Sequence, residues 1–478
     1  MSIQARRGIK LQDIQSPEKF FYSSGAVANG VKTDAFTFFL LFFYSSVIGL
    51  TPGLASLAIF IALLVDAFTD PLMGVISDRT KHSLGRRHPY FLLGLIPMSL
   101  SYFMLFSIQK SWGLSQELLF LWMLTFTLLT RLGMTIFDVP HRSLGSEMSR
   151  SYTERTSIFA AREMLGWMGG LFNAFLAYMV FFRDTPDYVP GLKNPDPWIF
   201  YGMTGATIMC ISVLVTFFGT RKYIQNPIEH AQTFNLKLIF KQIFIALKNK
   251  SFLIFFFGYL FIAVSWGMGS SLQVYMNTYF WKFPSNMLAS YLGIYVLATF
   301  TAFMVVPKLV RFYEKRSILL TAISIAALIP PIPIVLFING YLPASGTWAL
   351  FFATIPFVYI ANASLSASSI IRESMLGDIS DEVELDTNLG QQGLMFASSS
   401  LIGKLNTGLG ILMAGLALEF IGFTQGSETI PSADNIFNLA MVQGPLVAFL
   451  MIIPFAIFSM YKIDRFRHLE IINKLENR

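Results

Sequence analysis

Apolar residues in this chain come in long blocks rather than in alternation. Twelve apolar runs recur, at approximately 25–48, 54–77, 89–108, 117–140, 156–182, 197–218, 251–280, 286–306, 317–338, 345–371, 391–420 and 436–460. A helix of about 20 apolar residues crosses the hydrocarbon core of a bilayer, so each run predicts a membrane-spanning helix. Segments of about ten residues with period-two alternation, the mark of a membrane β-barrel, do not recur. The polar stretch 219–250 parts six runs from six, which predicts a first bundle over 1–218, a linker, and a second bundle with its tail over 251–478. Leu144-Gly145 and Leu376-Gly377 occupy matching loops of the two halves, a weak internal echo. The expectation is an all-α membrane protein of twelve transmembrane helices in two pseudo-symmetric six-helix bundles.

Composition agrees with the blocks. The 478 residues are 54% hydrophobic and only 13% charged, against about 25% charged in a soluble domain. A formal net charge of +7 would suggest nucleic acid in a soluble protein. Sorting the charges by loop gives another reason. Of the 35 Lys and Arg, 27 fall in the termini and loops of one side, while the opposite loops hold Lys110, Arg183, Lys193 and Lys282. Cytoplasmic loops carry the excess of Lys and Arg, so both termini are expected in the cytoplasm. Lipid, not nucleic acid, is the expected surround. Residues 1–24 are polar and mixed, which predicts an uncleaved first span rather than a secretory signal. The sole cysteine, Cys210, excludes an intrachain disulfide and a multi-cysteine metal site. The five histidines are scattered, and no His-Glu-x-x-His or membrane Ser/Lys motif occurs, so neither an enzyme nor a cofactor is expected.

The candidate chemistry lies inside the spans. Asp66 and Asp70 stand four apart in the second run and share one helix face. An ionised Asp at the bilayer centre costs a few kcal/mol, so the pair predicts a partner: a cation, a proton or a basic side chain. Pro71 frees the carbonyl near position 67 as a further oxygen ligand. The plainer alternative is two acids in a wet vestibule, balanced by Arg or Lys. Lys32 and Asp34 in the first span either neutralise each other or bind a ligand. Arg131 in the fourth span reads as a structural counter-charge, and Asp138 lies further along. The fifth span holds Arg162 and Glu163, then Gly166 and Gly170 at a spacing that predicts close helix packing. Trp266, Gln273, Tyr275, Asn277 and Tyr279 form a polar-aromatic mixture in the seventh span, suited to sugar faces or to an interfacial belt. Lys404, mid-span in the eleventh, is expected to face the same cavity as the acids. The acids Glu373, Asp378, Asp381, Glu382, Glu384 and Asp386 and the basic loops either latch the halves together or stay solvated.

The run Asp66-x3-Asp70-Pro71-x2-Gly74, with Asp78-Arg79-Thr80 and Gly85-Arg86 after it, resembles the second helix and following loop of the glycoside–pentoside–hexuronide:cation symporters. These are melibiose-permease relatives in the major facilitator superfamily. The resemblance continues through Asp138-Val139-Pro140, Glu154-Arg155-Thr156, Arg162, Met375-Leu376-Gly377-Asp378-Ile379-Ser380-Asp381 and Lys404, nearly the whole chain. It implies the major facilitator fold in a bacterial inner membrane, with Asp66 and Asp70 holding the coupling cation. It further implies Asp138 at the junction of cation and sugar sites, Arg162 on the sugar, and Lys404 near both. Three departures stand out. Arg142 replaces a Trp one turn after the fourth-span acid; Gly30 takes the place of a first-span acid, with Asp34 one turn later; and Gln391-Gln392-Gly393 lacks a basic residue before its glycine. These argue against a simple galactoside.

The expected protein is a monomeric symporter that imports a sugar, glycoside or sugar acid with Na⁺ or H⁺ by alternating access. Asp66, Asp70 and Asp138 are the expected cation ligands, and Asp34, Asp138, Arg142, Arg162, Asn277 and Lys404 the expected substrate contacts. The same scaffold carrying a lysolipid or another amphiphile is the rival.

Overall fold

The computed structural model describes residues 16–149, 152–224, 249–387, 392–423, 426 and 431–476. Most of the linker, Gln391 and the first fifteen residues lie outside the described residues, as does the side chain of Asp386. Eleven helices among the described residues are long and apolar enough to cross a membrane. They are α1 (Ser16–Ile48), α2 (Pro52–Arg79), α3 (His88–Phe106), α4 (Gln116–Met148), α5 (Ser157–Phe181), α6 (Trp198–Gly219), α7 (Lys250–Phe280), α8 (Ser285–Phe312), α9 (Lys315–Ile338), α10 (Trp348–Leu385) and α12 (Ala433–Phe458). Between the last two runs α11 (Gln392–Phe420), a helix of 29 residues in the place of the remaining span. A short α13 (Arg465–Glu476) follows.

Several helices outrun their apolar blocks. The helix α4 continues through Pro140, and α10 carries Asp378 and Asp381 as helical residues rather than in a loop. Charged extensions of this kind are satisfied by water and ion pairs, so loss of hydropathy does not end the helix. Here Lys315 bonds Asp378 at 2.6 Å and His468 reaches Asp381 at 3.1 Å.

Lipid is as apolar as leucine, so burial of apolar surface cannot by itself pull spans together; close backbone approach and polar contacts do. Gly30 of α1 sits against the backbone of Gly166 and Gly170 on α5, where a Cβ would have no room. In the second half a Cβ on Gly267 of α7 would come 2.5 Å from the Thr407 carbonyl of α11. The same helices of each half thus meet through glycine, as the pseudo-symmetry requires.

The two halves meet at the end of the molecule remote from the basic loops. There Gly426 N–H donates to the Ser45 carbonyl at 3.0 Å, and the hydroxyls of Ser45 and Tyr275 bond each other. Two carboxylates complete this closure in symmetric fashion. Glu419, at the end of α11, accepts from the Gly53 N–H at the start of α2 at 3.1 Å. Asp184, just past α5, accepts from the Ser285 N–H at 3.1 Å and the Ser285 hydroxyl at 2.9 Å, at the start of α8. A helix N-terminus presents unsatisfied N–H groups and a positive dipole end, so each half supplies an anion to the other's helix.

At the basic end the ion pairs between described side chains stay within a half. Arg86 and Arg87 hold Glu147 at 2.9 and 2.7 Å, and Lys315 holds Asp378. Asp378 and Asp381, readable from sequence as latch or as solvated acids, have Lys315 and His468 of their own bundle as partners, because α9 and α13 begin beside that part of α10.

Candidate substrate and cation site

The helix α4 organises the site. Arg131, Thr135, Asp138 and Arg142 recur at three- and four-residue spacings, which places them on one face over three turns. That face meets α2 at its first two residues and α5 at its third.

Asp66 accepts from Arg131 Nη1 at 2.6 Å, and both residues are buried, at 4% and 7% exposure. The guanidinium also lies over the Phe36 ring, 5.1 Å from its centroid. Asp66 Oδ1 is buried with no hydrogen-bond partner. One turn on, Asp70 Oδ1 accepts from the Thr135 hydroxyl at 2.7 Å, while Asp70 Oδ2 pairs with Lys404 Nζ of α11. The side chains of Asp70 and Lys404 are about a third exposed, at 30% and 34%. The two acids of α2 are therefore unlike: one is sealed by its own half, the other is reachable and tied across to the second half.

Asp138 bonds two guanidiniums. Arg162 Nη2 donates at 2.6 Å and Arg142 Nε lies at 2.8 Å; Arg162 also reaches Glu163 at 2.6 Å. Arg162 is 2% exposed whereas the Arg142 side chain is half exposed. Lys32, on α1, lies within the field of Arg131, Asp66, Lys404 and Asp138, so these groups form one electrostatic cluster.

The other expected contacts are elsewhere. Asp34 packs on Gly170, with the phenols of Tyr102 and Tyr201 as its electrostatic neighbours. Asn277 is buried in the second half and accepts from Gln273 at 3.0 Å, and Gln273 in turn accepts from Gln443 at 3.3 Å. Neither is drawn into the α2–α4–α5 cluster. Thr135 and the closing acids Asp184 and Glu419 are additions from the structure. The signal for Thr135 was present in the chain, three residues before Asp138 and four after Arg131. A lone threonine in a span more often bonds its own helix, as Thr130 does with the Phe126 carbonyl at 2.7 Å.

Chemically, the cluster offers a partly exposed carboxylate with one ammonium partner, next to a guanidinium–carboxylate set able to grip hydroxyl pairs or an acid group. The pattern of the MFS/sugar transport protein family matches residues 21–465. The chain belongs to that family. Among its relatives are an uncharacterized symporter of Synechocystis sp., 22% identical over 99% of this chain and 98% of that one, and the isoprimeverose transporter of Lactiplantibacillus pentosus, 22% identical over 94% and 89%. The sodium-dependent lysophosphatidylcholine symporter 1-A of Danio rerio is 25% identical over 94% and 86%. A crystal structure of a nucleoside transporter superposes with a TM-score of 0.64 at 14% identity, covering 93% of this chain and 99% of that one, and shows the fold alone. Transport, not catalysis, is the business of this family member.

Proposed function

We propose that the protein imports a sugar, glycoside or sugar acid together with a monovalent cation, Na⁺ or H⁺. The observation that carries this reading is the Asp70–Lys404 pair, which spans the two halves beside the Asp138–Arg142–Arg162 set. A cation at Asp70, with the Thr135 hydroxyl as a second ligand, takes the place of the Lys404 ammonium and unties the halves. Substrate is held by Asp138, Arg142, Arg162 and the released Lys404. Each ligand then favours the state that binds the other, with coupling energies of about 1–3 kcal/mol being typical. Of the expected cation ligands, Asp70 fits the role directly, whereas Asp138 already has two cationic partners; Asp34 and Asn277 fit a substrate role poorly.

Both termini lie in the cytoplasm in this reading, with the chain acting as a monomer in a bacterial inner membrane. The hydrogen bonds that join the halves at the remote end, Gly426 to Ser45 and Ser45 to Tyr275, support an inward-facing arrangement. The isoprimeverose transporter among the relatives supports a sugar substrate. An amphiphile is favoured by a different observation: Met164, Trp167, Met168 and Phe172 are all more than half exposed on α5, the helix that carries Arg162, and the Danio rerio relative is named for lysophosphatidylcholine.

Uptake into proteoliposomes tests the reading. Labelled sugars, sugar acids and lysolipids are offered with and without Na⁺ gradients and pH gradients. Gradient-driven accumulation of a sugar class upholds it, and lysolipid movement alone replaces it with the second reading.

A further inference from the structure

The two carboxylates of α2 invite a site in which both ligate one ion, yet their partners differ in how readily they can leave. Arg131 belongs to the same half as Asp66, is 7% exposed, and is held by the carboxylate on one side and by the Phe36 ring on another. No rearrangement of the two halves removes it. Lys404 belongs to the other half, ends in a flexible chain, and is about a third exposed with its partner. It can leave. The negative charge of Asp66 is thus cancelled internally, and that of Asp70 alone is on offer.

We infer that Arg131 is a built-in counter-cation that sets the cation affinity of the site. In wild type the site takes a single monovalent ion, held by Asp70 and the Thr135 hydroxyl, in exchange for Lys404. Arg131 is a positioning residue: it acts on the ion through Asp66 and does not touch it. Removing the guanidinium restores a second full negative charge one turn from Asp70. A unit charge within a few ångströms in a partly desolvated site changes ion affinity strongly.

This inference rests on the reading of Asp70 as the coupling-cation ligand, and the test separates the two. Na⁺ binding to the purified full chain is measured by isothermal titration and by thermal shift for wild type, Arg131→Gln, Arg131→Lys, Asp70→Asn and the double variant Arg131→Gln with Asp66→Asn. Arg131→Gln is expected to bind Na⁺ at least about tenfold more tightly than wild type. Arg131→Lys keeps the charge and is expected to stay near wild type, and the double variant is expected to lose the gain. A purely structural Arg131 would show no such ordering. If Arg131→Gln is too unstable to measure, the double variant relieves its unpaired carboxylate, and Arg131→Lys against wild type still reports the role of charge: a gain in Na⁺ affinity for Arg131→Lys overturns the inference. Unchanged or weaker Na⁺ binding by a folded Arg131→Gln also overturns it. Full Na⁺ binding by Asp70→Asn overturns the cation-site reading itself, and the inference with it.

Discussion

Asp70 of α2 and Lys404 of α11 form an ion pair from one half of the molecule to the other, with the Thr135 hydroxyl on the second carboxylate oxygen at 2.7 Å. A contact of this kind is made in one arrangement of the halves and broken in the other. It is therefore placed to report cation occupancy to the whole fold. Replacing Asp70 by Asn removes the charge and keeps the shape. We expect gradient-driven accumulation to fall to the equilibrium ratio while exchange of substrate down its gradient persists. Measurement of uptake and counterflow in the same vesicles checks it; wild-type accumulation would sink the mechanism.

The Asp138 carboxylate is expected to matter more for stability than Arg142 on the same face. Arg162 is 2% exposed and pairs with Asp138 and with the exposed Glu163. In Asp138→Asn a buried guanidinium loses its main partner, which in comparable buried pairs costs about 3–5 kcal/mol. The melting temperature of the purified protein should drop sharply. Arg142→Ala, at a half-exposed site, should leave it nearly unchanged and weaken substrate binding instead.

Gly30 should tolerate no side chain. A Cβ there would run into the Gly166 carbonyl, backbone on backbone, with no flexible side chain to yield. Gly30→Ala is expected to part α1 from α5 and to cost about 1–3 kcal/mol, typical of overpacking. Expression in the membrane and the melting temperature read this out. Gly293, with nothing within 4 Å of its added Cβ, serves as the control for Gly→Ala.

Glu419 and Asp184 should act as twin clasps of the remote end. Glu419→Gln and Asp184→Asn weaken an anion at a helix N-terminus, an interaction of about 0.3–1 kcal/mol. Each is expected to shift the population modestly toward the arrangement open at that end, and both together more. Labelling of a cysteine introduced beside Gly426 at the remote end, in a Cys210→Ala background, gives the readout. Equal labelling in all variants would show that the clasps carry no weight.

Much of this protein was legible in its sequence because a bilayer leaves few choices. Every backbone polar group in lipid must find a protein partner, which only helices and closed barrels allow, so twelve long apolar runs without alternation mean helices, and loop charges predict the orientation. Intramembrane charges are costly enough that Asp66, Asp70, Asp138, Arg131, Arg162 and Lys404 could be marked as interacting before any contact was known. Which of them pair was beyond the sequence. Spacing shows that Arg131 and Asp138 share a helix face, but not that α2 lies beside that face with Asp66 level with the arginine. The separation of Asp34 and Asn277 from the cluster was hidden for the same reason, since helix rotation is set by packing on neighbours such as Gly170. The sequence by itself determined the solvent, the helices and the cast of charged groups. Only the tertiary structure decided that one carboxylate of α2 is sealed by its own half and the other joined to the opposite half, because partner choice depends on helix rotation and depth, which hydropathy does not encode.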